Sequence, residues 1–384
     1  MRIIKVGGGV LTGPNPLRAL VDLVGHRCDK CVLVVSAFGK TTNWLEQVVR
    51  GCVGGHQEEA VSTLEKVLWW HRDFGEALGL PWDSLGIPSY VDTVRHAVRF
   101  EVGDSPGRLS DSLISLGEQL SSRMVAAFLT AQGIPARWVD ARRIVVTDDT
   151  FGAARVQWRP TQNAIRTEVG SLVSGSIPVV AGFIGATAGG QPTTLGREGS
   201  DYTAAVMGAA LRADEVVLLK DVEGVLTADP AVVPDARLIG QLSFEQAARL
   251  FRAGAKVVHP KSVEPLRRAG IALRVAPFGN PRGGTVIGPG RSWGEGDVRA
   301  IAGRCNGQRG PSSDTLSCQI AVLGEPPIAS LVCHRIEESA RAMNLTFRRR
   351  FAARGTWILG APRDWCEEAI RQLHTFVGHG AEES

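Results

Sequence analysis

Short runs of aliphatic, often β-branched residues, each long enough for one strand, alternate with longer segments of helical period through residues 1–290. Arg2–Val6 is the first run and ends at Gly7, Gly8 and Gly9; residues 32–35 form the second and end at Ser36. Further runs occupy 136–139, 144–147, 177–181, 215–219 and 271–275. Between them apolar side chains recur at helical spacing, as in Ala60, Leu64, Val67 and Leu68, in Leu113, Leu116, Leu120 and Met124, and across 202–211. Nearly unbroken apolar strands separated by helices predict a largely parallel α/β sheet covered on both faces, since an alternating polar face would be wasted there. Ligands of such sheets bind beyond the carboxyl ends of the strands. The glycines after Val6 and the turn after Val35 fall at that edge.

The stretch 278–297 is dense in Gly and Pro and reads as a domain boundary. Beyond it, apolar runs near 298–302, 316–323, 345–347 and 357–359 alternate with helical patterns at 328–343 and 365–376, which predicts a small α+β module. The 43 basic and 39 acidic residues leave a formal charge of +4, spread along the chain. No basic face interleaved with aromatics is evident, so a nucleic-acid partner is not expected. The longest apolar stretches, such as 177–188, are well short of the ~20 residues that span a bilayer, and no leader segment is read at the N-terminus because Gly7 to Gly9 interrupt its apolar run. No membrane partner is expected. The seven cysteines, Cys28, Cys31, Cys52, Cys305, Cys318, Cys333 and Cys366, are odd in number and scattered, which fits reduced thiols in a cytoplasmic protein. Cys28 and Cys31 form a CxxC without a second pair at zinc spacing.

Only seven of the 43 basic residues are Lys: Lys5, Lys30, Lys40, Lys66, Lys220, Lys256 and Lys261. A compact ammonium in so Arg-rich a chain draws attention wherever it adjoins glycine, because phosphate sites use such groups. Lys5 stands at a strand end before Gly7, Gly8 and Gly9, where backbone N–H groups can approach a polyphosphate closely. Taken alone, this pattern reads equally as a tight strand-to-helix turn. Leu195, Gly196, Arg197, Glu198, Gly199, Ser200, Asp201 and Tyr202 form a sharper motif. Ser200 and Asp201 are expected as N-cap residues of the following helix, whose N-terminus favours an anion, and Arg197 offers a planar fork for a carboxylate. Lys220 and Asp221 end a buried strand that runs through Val225 and Leu226 into a turn closed by Asp229 and Pro230, suited to a nucleotide resting on backbone. Gly254, Ala255 and Lys256 bring another Lys beside a glycine; alone, this would be a surface Lys near a helix end.

In this order, with Ser36, Ala37, Phe38, Gly39, Lys40, Thr41 and Thr42, with Ser115 to Ser122, with Trp138 to Arg142 and with Gly182 to Ala186, the motifs resemble those of the aspartate kinases of the amino acid kinase family. The resemblance covers residues 1–290. It implies a three-layer αβα sandwich with a mainly parallel central sheet, a substrate lobe over about 1–190, a nucleotide lobe over about 191–290 and a shortened ACT-like α+β domain over 291–384.

The activity implied is transfer of a phosphoryl group from ATP to the β-carboxylate of L-aspartate, with Mg2+ on the ATP phosphates and no dedicated protein-held metal site. By match to the family, Lys5 stabilises the transferred phosphoryl, Gly7, Gly8 and Gly9 cradle phosphate oxygens, and Asp201 orients Lys5 or meets the substrate ammonium. Ser36, Thr42 and Ser200 fall to the substrate, Glu118 to its ammonium and Arg197 to its α-carboxylate. Position alone does not separate Glu118 from a solvated helical Glu. Lys220, Asp221, Val225, Leu226, Asp229 and Lys256 fall to the nucleotide.

Several positions depart from the family pattern, and the C-terminal region departs more. Gly9 and Val10 remove two hydroxyls from the phosphate end, Leu226 replaces an aromatic residue, Ala231 a cation and Lys220 a small hydroxyl residue. Lys220 is expected to compensate for the missing cation. Residues 291–384 suffice for one ACT-like module where the family usually has two. That module is expected to pair subunits into a homodimer, with weak or no inhibition by lysine or threonine. Two alternatives stay open: a kinase for a related amino-acid carboxylate, and a non-catalytic amino-acid-sensing subunit.

Overall fold

A computed structural model describes residues 1–27, 30–100, 105–252, 254, 255, 257–290, 298–305, 318–324, 334, 338, 348–352, 356–361, 363–375 and 377. In chain order the principal elements are β1 (Arg2–Val6), α1 (Pro14–Arg27), β2 (Cys31–Val35), α2 (Thr41–Val53), α3 (Gln57–Glu76), α4 (Pro88–Phe100) and α5 (Pro106–Ala131). There follow β3 (Ala136–Val139), α6 (Ala141–Ile144), β4 (Val146–Thr147), α7 (Trp158–Ala164), β5 (Ile177–Ala181), β6 (Ile184–Thr187), β7 (Pro192–Thr194), α8 (Gly199–Leu211) and β8 (Glu215–Lys220). The remainder comprises β9 (Gln241–Ser243), α9 (Phe244–Arg252), α10 (Pro260–Ala269), β10 (Ala272–Pro277), β11 (Thr285–Gly288), β12 (Val298–Cys305), β13 (Cys318–Gly324), β14 (Arg348–Ala352), β15 (Thr356–Ala361) and α11 (Cys366–His374).

The chain forms two compact units, one of Met1–Val222 with Glu264–Pro281, the other of Glu223–Val263 with Arg282–Ser384. The chain passes between them three times, so their limits do not follow a single cut near residue 290. In the first unit six strands lie in the order β3-β5-β2-β1-β8-β10. All the pairings described among them are parallel, with Ile4 opposite both Leu33 and Val217. Ile4, Val6, Leu33, Val35, Val179, Val217 and Leu219 pack into one core with the apolar stripes of α1 to α5. On the other face Ile3 and Val216 meet α8 at Gly208, beside Leu266 of α10. Strand residues therefore alternate between two helical layers, which explains why the runs are apolar throughout. The three-layer arrangement expected from the sequence is present. A separate small sheet pairs β4 with β6 in parallel and β6 with β7 antiparallel.

The strand expected over 144–147 is shortened to Val146–Thr147. Asp140 accepts a hydrogen bond from the Arg142 N–H at 3.0 Å and caps the helical turn α6, which takes Ile144 out of the strand. The second unit holds the parallel pair β9–β11 and an antiparallel sheet in the order β12-β13-β15-β14. Its core joins Ile301, Ile320 and Val322 to Ile370 and Leu373 of α11 and to Val233. The run expected near 345–347 and most of the helical pattern at 328–343 lie outside the described residues.

Cys31 and Cys52 are buried. Cys366 is disulfide-bonded, a correction to the expectation of uniformly reduced cysteines. The register of β12 with β13 sets Cys305 opposite Cys318, and Cys366 is buried in the core of the same unit. Cys28 lies outside the described residues. Among the described residues no helix is long and apolar enough to cross a membrane.

Candidate active site

β1 and β2 deliver their last residues to one edge of the sheet, and the chain must turn sharply there. Gly7 N–H donates to the Leu219 carbonyl at 3.2 Å, and Gly39 N–H donates to the Gly8 carbonyl at 3.1 Å. A Cβ on Gly8 would lie 2.3 Å from the Ala37 carbonyl oxygen, so no other residue fits between the two loops. Among the described residues the N–H groups of Gly8 and Gly9 carry no hydrogen bond.

Beside these loops lies a cavity of about 560 Å³ lined by Lys5, Gly8, Ser36, Thr42, Glu118, Arg197, Ser200 and Asp201, together with Glu46, Asp111, Phe183, Thr194 and Glu198. Eight of the side chains and glycines singled out from sequence thus share one wall. Gly7 and Gly9 adjoin it in the loop after β1. Asp221 is exposed and close to Gly9, whose Cβ would lie 3.1 Å from Oδ2. Val225, Leu226 and Asp229 belong to the second unit; there Val225 N–H donates to Thr285 Oγ1 at 2.8 Å and Asp229 Oδ1 accepts from Ala231 N–H at 3.0 Å. Lys256 lies outside the described residues.

The charged centre of the cavity is a cluster of two ammonium and two carboxylate groups. Asp201, in the first turn of α8, is 1% exposed. Its Oδ1 is 2.8 Å from Lys5 Nζ and its Oδ2 is 2.7 Å from Lys220 Nζ. Lys220 also reaches Glu198 Oε2 at 3.3 Å. Burial alone would push the Asp201 carboxyl up, but the paired ammonium groups, Lys5 first, hold it well below the usual carboxylate range. Burial lowers the Lys220 ammonium, and the charges of Asp201 and Glu198 outweigh it and raise that group.

Ser200 and Asp201 are not the helix cap that their residue types suggest. Helix α8 begins at Gly199, and the cap position is Glu198 in the left-handed conformation, φ +54°, with no side-chain cap bond. Phe183, at φ +69°, is strained in the same way and its ring lies where a Cβ on Gly199 would have to sit. The 183 turn packs tightly on the 198 turn at the start of α8, and the Asp201 side chain, not engaged as a cap, serves the two lysines.

Glu118, on α5, is 3% exposed. Its Oε1 accepts a hydrogen bond from Ala37 N–H at 3.3 Å, while the buried Oε2 has no partner among the described residues. Burial pushes this carboxyl up to about 8, against the smaller lowering pull of the Ala37 N–H and of Lys5. Arg197 is exposed at the same cavity and makes no ion pair among the described residues.

Asp111 escaped the sequence reading. It is fully buried, and its oxygens accept from Gly152 N–H at 3.0 Å and from the Thr194 N–H and hydroxyl, both at 2.8 Å. Burial raises its carboxyl and these donors lower it. Asp111 thereby ties α5 to the strand that leads into Arg197. The signal was present: Asp111, Ser115, Glu118 and Ser122 recur at helical spacing and form a buried polar stripe.

Among the described residues no group of three or more His, Cys, Asp or Glu could hold a metal ion. What the site presents to an anion is a set of donors: Lys5 and the half-buried Lys220 held by carboxylates, unbonded backbone N–H groups and an exposed guanidinium, beside a buried carboxyl with one unpartnered oxygen. That set suits transfer of an anionic group onto a second anion.

Comparison with known proteins agrees. The family model described as the amino acid kinase family matches residues 1–277. The chain belongs to the amino acid kinase family. Aspartokinase 1, chloroplastic, of Arabidopsis thaliana is 33% identical over 297 residues, 74% of this chain and 51% of that protein. Lysine-sensitive aspartokinase 3 of Escherichia coli K12 is 29% identical over 289 residues, 74% of this chain and 63% of that protein. The chain thus spans about half the length of the first relative and less than two thirds of the second. The crystal structure of E. coli aspartokinase III in complex with aspartate and ADP shares the fold, with a TM-score of 0.83 at 22% identity over 98% of this chain and 99% of that one. The aspartate kinase of Clostridium acetobutylicum gives a TM-score of 0.78 at 19% identity, covering 98% and 100%.

Proposed function

We propose that the chain is an aspartate kinase, transferring the terminal phosphoryl group of ATP to the β-carboxylate of L-aspartate. The observation that carries this reading is the pairing, on one cavity, of a buried carboxyl with an unpartnered oxygen, Glu118, and a guanidinium without an ion pair, Arg197. Together they complement the ammonium and carboxylate of an α-amino acid, and the similarity to aspartokinases supports aspartate as that acid.

The acceptor carboxylate is ionised at neutral pH, so no general base is required. The task is to bring two anions together. Lys5 supplies a fixed ammonium at the strand end, and Asp201 holds it in place without titrating in the neutral range. Gly8 and Gly9 offer N–H donors to phosphate oxygens, and the α8 terminus adds its positive end. Without a cation beside it, Glu118 holds a proton at neutral pH; a substrate ammonium favours the ionised form, so binding releases that proton. ATP, when bound with Mg2+ on its phosphates, supplies the activated phosphoryl group. Asp221, Val225, Leu226, Asp229 and Lys256 are assigned to the nucleotide by match to the family, and Lys220 is assigned as the additional cation.

A related amino-acid carboxylate is the second reading, favoured by Gly9, Val10 and Lys220, which alter the phosphate end while leaving Glu118 and Arg197 in place. Homodimerisation through the C-terminal sheet and a cytoplasmic location complete the proposal. The test is hydroxylamine trapping of the acyl phosphate formed from ATP with L-aspartate, L-glutamate, N-acetylglutamate and close aspartate analogues. Turnover on aspartate is expected; turnover on another acid selects the second reading, and none on any acid overturns both.

A further inference from the structure

A second cavity, of about 520 Å³, lies in the second unit, between the chain around residues 232–237 and the end of α11. Its polar lining comprises Asp235, Arg237, Arg371 and His374, with the buried Val233 and Val377. His374 is only 7% exposed and its Nε2 is 2.8 Å from Thr227 Oγ1. That hydroxyl also accepts from Arg237 N–H at 2.9 Å. The other ring nitrogen, Nδ1, has no hydrogen-bond partner among the described residues. Burial lowers the His374 pKa, the nearby Asp235 opposing and Arg237 assisting, which keeps the ring neutral at pH 7.

Arg237 contributes a second donor set: one terminal nitrogen is bound to the Val377 carbonyl at 2.8 Å, and the rest of the guanidinium is uncommitted among the described residues. Arg371 is held by the Val232 carbonyl at 3.1 Å and by exposed pairs with Glu367 and Glu368 at 3.3 Å, contacts of a kind that surface solvation makes weak. Asp235 is the one acidic residue of the lining and is exposed. Two or three donors facing one acceptor over an apolar floor is the complement of a small organic carboxylate that also carries a hydrogen-bond donor.

The geometry points to a ligand site here for a small hydroxy- or amino-carboxylate, with its carboxylate on Arg237, a polar group against His374 Nδ1 and its donor group toward Asp235. The site is built by the segment that follows Val225 and Leu226, and Thr227 is its hinge: it bonds His374 by its side chain and Ile301 N–H by its carbonyl at 2.8 Å. Occupancy therefore braces the strand-like stretch that leads to Asp229. Any effect of this on nucleotide use rests on the function proposed above, but the site itself does not.

The test is calorimetric titration of the full chain, without nucleotide, using lactate, glycine, acetate and inorganic phosphate as probes. Saturable binding of lactate or glycine is expected, weaker binding of acetate, and a loss of at least about tenfold in affinity in Arg237→Gln, an exposed position that leaves the core untouched. His374→Gln is expected to weaken binding as well, and Arg159→Gln, an exposed position of the first unit outside the cavity lining, to leave it unchanged. Binding of phosphate in place of the carboxylates would overturn the assigned ligand class. Absence of saturable binding by every probe, or binding indifferent to Arg237→Gln with an unchanged melting temperature, would overturn the site.

Discussion

A carboxyl buried as completely as that of Glu118 resists ionisation, and its pKa carries a stability signature. The group rises from 4.5 to about 8, so between those values the folded chain keeps a proton that the unfolded chain has released. Its contribution to stability is full at low pH and is lost as pH rises toward 8. Urea unfolding of the wild type is therefore expected to lose a few kcal/mol across that interval beyond what Glu118→Gln loses, and parallel pH profiles would contradict the assignment. At Gly8 the constraint is steric. Gly8→Ala pushes a methyl onto the Ala37 carbonyl at 2.3 Å, which the paired loops can relieve only by moving apart. A cost of roughly 1–3 kcal/mol and a large loss of turnover are expected, measurable by thermal melting and by the kinase assay. Lys220 is the residue whose identity departs most from the family. Lys220→Ala should raise the KM for ATP; an unchanged value would confine Lys220 to positioning Asp201.

At the scale of elements, α5 organises the substrate side. One polar stripe on its buried face carries both Glu118 and Asp111, and Asp111 anchors the strand that feeds Arg197. Asp111→Asn replaces one accepting oxygen with an amide that faces N–H donors, so it is expected to cost about 1–3 kcal/mol and to raise the KM for the acid more than it lowers kcat. Equal KM values for wild type and variant would remove Asp111 from that positioning role. The strands were legible because two-sided burial leaves little room for polar residues, and the helices because their stripes are clean. The start of α8 was not. Ser200 and Asp201 have the chemistry of caps, yet the turn depends on Phe183 and Glu198 adopting positive φ, which no local preference signals. Burial of Glu118 was likewise invisible, since it depends on where α5 lies against the turn after β2 rather than on the residues flanking it.

At the scale of the whole molecule, eight residues singled out from distant parts of the sequence line one cavity, whereas the compact units do not follow a single cut near 290. The compact units exchange segments at 222–223, 263–264 and 281–282, and such crossings leave no compositional mark comparable to the Gly- and Pro-rich stretch that suggested a cut near 290. The four-stranded antiparallel sheet with α11 is the part expected to pair subunits, so light scattering should give a dimer, and lysine or threonine should inhibit weakly or not at all; a monomer, or strong inhibition, would contradict these two expectations in turn. The central claim concerns a cationic phosphoryl-transfer centre built on Lys5 and read by an amino acid through Glu118 and Arg197. Its most direct test is ATP-dependent acyl-phosphate formation on L-aspartate by the wild type beside Lys5→Ala. Turnover that is lost in the variant, with the fold intact by circular dichroism, is the predicted result; turnover that survives the loss of Lys5 would contradict it.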